Sequence, residues 1–393
     1  LLPGILYFFS LTPRQKRSPF ANSKAHTQTR RPGNPHEREA HSLRTLKAFL
    51  KKNWMIVLGL TLSVATILTF FLLTDGITVL KEISKSLQYG WLLVAAGFVL
   101  LQWAFDSLAL HTLTLPHQPG RRYFSSFITT MVGVLYSNLT PSATGGQPMQ
   151  VVSLNRQGMD TGTATSVVVV KTMLNQIAIT IYALVMVVWE LPYFQQYVSN
   201  FSFIVLFAMA VSMLFIAGLL LFTINRKLTT RLGYWLVHQL HRMRLCKDEQ
   251  RLRDKMDATF KNYFASAGRL GSSFFRCLAV VVFTLLQLTC YFIVPYCLYR
   301  SFGFYGESVV RLIAAATFVY FASMFVPVPG SSGGAEGSFY LFFSPFFPAG
   351  AAAPAMLIWR LLTYYAGILF GLAFTAMDKR RAAPTVPPAQ TEP

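Results

Sequence analysis

The chain of 393 residues carries 35 Lys and Arg against 15 Asp and Glu, a formal net charge of +20, yet 53% of its residues are hydrophobic and only 13% are charged. With 34 Phe, 17 Tyr and a mean hydropathy of +0.44, it holds more apolar side chain than one water-soluble body of this size can bury, and about half the usual charge. A disordered chain, a disulfide-stapled secreted domain and an ordinary cytosolic enzyme are excluded, which leaves an integral membrane protein.

Residues 1–45 are rich in Pro, Ser, Arg, Asn and His and read as a disordered basic arm. Leu1–Phe9 is apolar but shorter than the roughly 20 residues a crossing needs, and no small-residue cleavage site follows it, so it is not read as a signal peptide. Six later runs are long enough to cross: Trp54–Leu73, Trp91–Leu113, Ala164–Trp189, Phe201–Ile224, Cys277–Tyr299 and Ala351–Ala376. Trp54, Trp91 and Trp189 stand at their ends, where amphipathic rings favour the headgroup level. Two further apolar stretches, Tyr123–Thr140 and Val309–Val326, run into Gly/Pro clusters at 140–148 and 327–337.

The cations lie mostly between these runs. The stretch before Asn53, Arg121, Arg122, Arg156, the 226–276 loop and Lys379–Arg381 together hold 29 of the 35. This is the positive-inside pattern, and it takes the place of a nucleic-acid reading of the high charge. It puts both termini in the cytoplasm. Parity then requires 123–160 to enter and leave from the inside and 309–348 from the outside, each as a re-entrant hairpin or a pair of crossings; the hairpin reading, with the two entering from opposite faces, is the one expected. Within the basic loop, Leu232, Trp235, Leu236, Leu240 and Met243 share one helical face, opposite Arg231, His238, His241 and Arg242. That pattern predicts an amphipathic helix on the cytoplasmic leaflet, or one packed on the membrane body. The four cysteines have no ligand spacing and read as buried thiols; no metal or cofactor is expected.

The two hairpin units match. Pro141-x-x-x-Gly145-Gly146 is followed 25 residues later by Lys171, and Pro329-x-x-x-Gly333-Gly334 is followed 26 residues later by Arg360. Units of span, hairpin, span (about 91–189 and 277–376) with opposed parity predict inverted repeats. Gly and Pro break the helical ladder, and broken backbone at membrane depth is tolerated only where protein or a water-filled cavity covers it. The two clusters are therefore expected to line a cavity between the repeats.

Cations inside apolar spans are costly and mark functional sites by default. Arg360 and Lys171 are candidates to bind an anionic headgroup, with Glu336 balancing charge and Asp106 and Arg156 as further candidates. The alternative for Arg360 is a structural ion pair with Glu336 or Asp106. Arg156 is otherwise an ordinary inner-surface charge, and Lys171 could snorkel to the inner face. Gly330-Ser-Ser-Gly333 also fits an intramembrane serine protease motif, but the only span histidine, His111, lies at the other end. No Walker loop, HExxH or dinucleotide motif occurs.

The order of Pro-x3-Gly-Gly, Arg156-x-Gly158, a polar residue in the next span, then Pro-x-Pro-Gly-x-x-Gly-Gly-x-Glu and a downstream span arginine resembles the transmembrane, flippase-like domain of lysylphosphatidylglycerol synthetases and the stand-alone UPF0104 membrane proteins. The likeness covers roughly residues 45–380. It departs at Gln147, where the family often carries an acid. The resemblance implies a polytopic bacterial inner-membrane protein that is not an enzyme and that moves or handles phospholipids. The partners it implies are a membrane phospholipid, with a homodimer and a lipid-modifying enzyme as candidates. A chain ending at Pro393 is expected to be the stand-alone form without a synthetase domain. The rival expectation is a non-transporting accessory protein of a lipid or cell-envelope assembly enzyme. The expected layout is an arm (1–45), an all-α membrane domain (46–380) with six crossings, two re-entrant hairpins and a basic loop (225–276), and a disordered tail (381–393).

Overall fold

Among the described residues, four helices are long and apolar enough to cross a bilayer: Tyr89–Thr114, Thr161–Glu190, Phe274–Ser301 and Ala352–Arg380. They belong to a computed structural model that describes residues 87–381, except 198–200, 243–248, 325 and 349, together with Thr61 and Ala65. The elements in order are α1 (Tyr89–Thr114), α2 (Tyr123–Leu139), α3 (Gly146–Arg156), α4 (Thr161–Tyr197), α5 (Phe201–Ile224), α6 (Arg226–Arg242), α7 (Glu249–Gly271), α8 (Phe274–Phe292), α9 (Val294–Ser301), α10 (Val309–Met324), α11 (Gly334–Phe343), α12 (Ala352–Arg360), a π-helical turn (Leu361–Tyr365) and α13 (Ala366–Arg381).

The expected crossing at Trp54–Leu73, the arm at 1–45 and the tail beyond Arg381 lie outside the described residues. Phe201–Ile224 is helical as expected, and its residues Ala210–Ile224 join α6 as a pair bent by 92°, which counts as a fifth span if taken as one. Two of the expected runs are interrupted. The run at Cys277–Tyr299 breaks at Ile293, where Pro295 starts a new helix in the position that needs no N–H partner. The run at Ala351–Ala376 holds the π turn directly after Arg360.

Contacts at helix ends order the bundle. The N–H of Gln88 donates to the carbonyl of Ser301 (2.8 Å), and Tyr305 donates to Gln88 Oε1 (2.9 Å). At that same end Glu190 of α4 meets Arg311 in the first turn of α10 (3.2 Å). The other end gathers His117, Gln118, Gln157, Ser266 and Asp378. Helix α2 leaves from this second end and α10 from the first. The broken pairs α2–α3 and α10–α11 thus start from opposite ends of the bundle and turn back where they meet.

Between apolar helices in lipid, close packing does what the hydrophobic effect does in water. Gly367 and Gly371, four apart on α13, let α2 approach: a Cβ on Gly371 would stand 2.8 Å from Leu135 Cβ and 3.1 Å from the Met131 carbonyl. Around α8–α12 the core is aromatic, with Phe339 stacked on Phe343 (4.4 Å) and on Trp359 (5.1 Å).

The basic loop forms two helices rather than one. Helix α7 buries Met256, Tyr263, Phe264, Ala267 and Leu270, a helical stripe, against α4 and its neighbours. Helix α6 docks on α7 through Gly233, where a Cβ would meet Phe260 at 2.7 Å, and Tyr234 donates to Asp257. Leu232 and Trp235 remain 48% and 59% exposed.

Two outcomes test this packing. Gly371→Val should lower stability by about 1–3 kcal/mol through overpacking, read as a lower unfolding midpoint in detergent. His117 bonds Ser266 (3.0 Å), and burial together with Arg269 and Arg276 holds its pKa below the ordinary histidine value. Its contribution is present above that ordinary value and is lost as pH falls below it. Between pH 7.5 and 5.5 the midpoint of the wild type should therefore fall further than that of His117→Gln.

Candidate functional site

Both helix breaks turn in the same way. Pro141 and Pro329 are 188 positions apart, and at that same step Ala143 and Ser331 each donate N–H three residues back, to Thr140 (3.2 Å) and Val328 (2.8 Å). The two residues after each proline are left-handed: Ser142 and Ala143 at φ 50° and 54°, Gly330 and Ser331 at φ 64° and 49°. Three of these four carry a Cβ, so the turns hold strain of a kind that collects at functional sites. Pro141 and Pro329 face each other in an isolated antiparallel bridge. The second glycine of each pair closes its turn. A Cβ on Gly146 would lie 2.0 Å from Ser137 Oγ, and one on Gly334 would lie 2.2 Å from Val326 Cγ2. Gly145, Gly146 and Gly334 therefore serve close approach within each hairpin, Gly333 supplies a left-handed φ of 85°, and none of the four lines the cavity described next.

A cavity of about 290 Å³ opens where the tips meet. Ser142 and Ala143 line it from one tip, Gly330 and Ser331 from the other, and Arg360, Thr363 and Tyr364 from the π-turn region. The π turn widens the helix and turns these side chains inward, a distortion that often marks a functional site. Gly330 has no substitute here, since a Cβ would lie 2.3 Å from the Tyr364 ring at a positive φ.

Arg360 is the one ionisable residue of formal charge on this lining, and its side chain is 5% exposed. Nη1 donates to the Gly330 carbonyl at 3.2 Å. Nε lies 2.9 Å from Glu336 Oε1, without aiming its N–H along that line. The other carboxylate oxygen of Glu336 accepts the N–H of Gly333 (2.7 Å) and caps α11. The guanidinium also stands over the rings of Tyr364 (5.1 Å) and Trp359 (5.3 Å). Nη2 is buried and has no hydrogen-bond partner among the described residues. A buried charged donor left open costs free energy unless a ligand completes it.

The other expected residues lie elsewhere. Lys171 does not share the cavity with Arg360; it forms a 2.6 Å ion pair with Asp106 between α4 and α1. Arg156 pairs with Asp378 (3.3 Å). Asp378, with a fully buried side chain, also accepts from Ser153 (2.8 Å) and Gln157 (3.0 Å). Arg121 joins this cluster through Gln157 and Gln118, and burial lowers its pKa to about 10 despite the nearby Asp378. For the protease motif, Ser332 donates to the Pro329 carbonyl (2.9 Å) while His111 lies beside Ser126 (3.1 Å). The serine that reaches the cavity is Ser331. Sequence reasoning missed Asn138 and Tyr364, which bond each other across the two units (3.4 Å), and it missed Asp378, hidden in a run of cations. The polar side chain of Asn138, three positions before Pro141, was the available signal.

Residues 56–371 match the family model described as the lysylphosphatidylglycerol synthase TM region. The chain is also 27% identical, over 325 residues, to a UPF0104 membrane protein of Archaeoglobus fulgidus, a match covering 80% of this chain and 94% of that protein.

If Arg360 and Glu336 form one buried unit, Arg360→Ala or Glu336→Ala alone should cost about 3–5 kcal/mol by stranding a charge. The double variant should recover part of that loss. Unfolding midpoints in detergent read the coupling, and strictly additive losses would show that no unit exists.

Proposed function

The chain belongs to the family of the lysylphosphatidylglycerol synthase transmembrane region, and from that premise we propose that it is a lipid translocase. An anionic or aminoacylated headgroup enters the cavity between the two broken helix pairs while its acyl chains stay in the bilayer. The observation that carries this reading is the buried, incompletely paired Arg360 at the point where two helix breaks meet. Its phosphate-binding role falls to Nη2. Glu336 holds the guanidinium in place, and Lys171 with Asp106 braces α4 against α1.

The 188-residue step supports two inverted repeats, 91–189 and 277–376. It relates not only the tips but also the acids Glu190 and Asp378 near the ends of α4 and α13. Each acid binds an arginine from the other unit: Glu190 takes Arg311 of α10, and Asp378 takes Arg156 of α3. In this reading the two pairs are gates at opposite ends. The Asp378 end, rich in cations, faces the cytoplasm, and α6 rests on that leaflet with Leu232 and Trp235 in the interface. With no nucleotide loop in the sequence, net flux in this reading needs a gradient or downstream removal of the lipid.

Fluorescent-lipid translocation in proteoliposomes tests the proposal. The wild type should move lipid, and the Arg360→Ala/Glu336→Ala double variant should lose at least about tenfold of the rate. An inactive wild type that copurifies with a lipid-modifying enzyme would replace transport with the accessory role. The gates have their own test, with a cysteine at Ser142 or Ser331 as the accessibility probe. Asp378→Asn should speed labelling from the cytoplasmic side, and Glu190→Gln from the other side. Each should act by about tenfold, equivalent to about 1.4 kcal/mol on opening. Identical effects on both sides would remove the gate assignment.

A further inference from the structure

The cavity lining specifies more than an anion. Besides Arg360 it holds hydroxyl and amide side chains, among them Asn138, Ser142, Ser323, Ser331 and Thr363, and a wall of Tyr, Phe and Trp rings. No carboxylate lines it: Glu336 lies behind Arg360, with one oxygen on the guanidinium and the other on the Gly333 N–H. Resting on the translocase reading and narrowing its two headgroup classes to the anionic one, we infer that the headgroup this site accepts is a phosphate bearing an uncharged polyol, such as a glycerol, inositol or sugar phosphate, and not an aminoacylated or other amine-bearing one.

Three observations support this. The first is charge. Arg360 and Glu336 cancel, and the N-terminal ends of α3 and α11 at the tips are offset by the C-terminal ends of α2 and α10 beside them. What the lining offers an anion is the open Nη2 of Arg360, and it offers a cation no carboxylate. An added ammonium would meet Arg360 with no carboxylate to answer it.

The second is hydrogen bonding. Thr363 Oγ1 donates to the Trp359 carbonyl (2.7 Å) and Ser323 Oγ to the Tyr320 carbonyl (2.8 Å). Their oxygens are left as acceptors that the O–H groups of a polyol can fill without bringing a second positive charge beside Arg360, while the phosphate oxygens accept from Arg360 Nη2. The third is the rings. The faces of Trp359 and Tyr364 lie against Arg360, Phe339 stacks on Phe343 and Trp359, and Tyr291 stands edge-on to Tyr320 (6.3 Å). A cation would find the available faces already covered, whereas the C–H and O–H groups of a polyol fit between ring edges and hydroxyls.

The volume of about 290 Å³ lies at the low end of ligand pockets, which run from roughly 300 Å³. It suits a headgroup and not acyl chains.

The test uses the purified full chain in detergent and reads the shift in thermal midpoint against ligand concentration. The probes are inositol 1-phosphate, glycerol 1-phosphate, phosphoethanolamine, inorganic phosphate and dihexanoyl phosphatidylinositol. The polyol phosphates should bind at least about tenfold more tightly than phosphoethanolamine or inorganic phosphate. Tyr320→Phe combined with Ser323→Ala should weaken inositol 1-phosphate by about fivefold and leave inorganic phosphate unchanged; this variant keeps the Arg360 pair intact. Equal or tighter binding of phosphoethanolamine would overturn the assignment, and so would a variant that weakens both ligands alike. Stabilisation by inositol 1-phosphate without the short-chain lipid would keep the polyol-phosphate class and identify its source as a free metabolite. The measurement involves no bilayer. A protein that binds polyol phosphate yet moves no lipid would sink the translocase reading and spare this one.

Discussion

A bilayer cannot hydrate an exposed peptide group or a lone charge, so a protein that breaks two helices at membrane depth has to supply the missing partners itself. The Arg360 guanidinium supplies several of them. It occupies the carbonyl that Gly330 frees at one tip, and it orients the carboxylate that caps the next helix at Gly333. It also fills the inner side of the π turn between two aromatic rings. These groups belong to α10–α11 and to α12, so a single side chain fastens the second broken pair to the last membrane helix. The first broken pair is held differently. It meets Pro329 by a backbone bridge and reaches the π turn through Asn138 and Tyr364. The cavity lies between a tip pinned by charge and a tip pinned by neutral hydrogen bonds. This asymmetry explains why it has one cationic wall.

Ion pairs in apolar surroundings give little net stability, because desolvation consumes most of the Coulomb gain, but separating the partners is costly. That asymmetry makes them better locators than glue. Lys171–Asp106 and Arg360–Glu336 each join elements of one half of the chain, whereas Arg156–Asp378 and Arg311–Glu190 join opposite halves. The first kind makes each half rigid. The second kind fixes how the halves meet, once at each end of the bundle. A rocking of one half against the other needs to break only one pair of the second kind at a time, and it leaves the Arg360 unit whole.

The sequence was most legible where its pattern was coarse. The long apolar runs, the two Gly/Pro breaks and the pairing of Arg360 with Glu336, weighed as an alternative, could all be read from residue type and spacing. What escaped was set by tertiary contact. Lys171 and Arg360 occupy matching places in the chain, yet one finds an aspartate on α1, three helices back, and the other a glutamate beside the second helix break. Spacing cannot separate these fates. The π turn has no signal beyond the cation it follows. Asp378 looks like an incidental acid among Lys379, Arg380 and Arg381 until the fold brings Ser153 and Gln157 to it. The second helix of the basic loop, by contrast, was readable from its apolar stripe at 256, 263, 264, 267 and 270.

The position of that loop follows from the same reasoning about solvent. A helix as basic as α6 cannot continue α5 into hydrocarbon, and the chain turns by 92° at Asn225, where Asn225 Oδ1 takes the N–H of Leu228. The turn lays α6 across the end of the bundle. Gly233 then lets α7 clamp it from behind, and α7 runs along α4, the helix that carries Lys171 at one level and Glu190 near its far end. Helix α6 is therefore connected, through two close-packed helices, to the Glu190–Arg311 pair at the opposite end of the bundle.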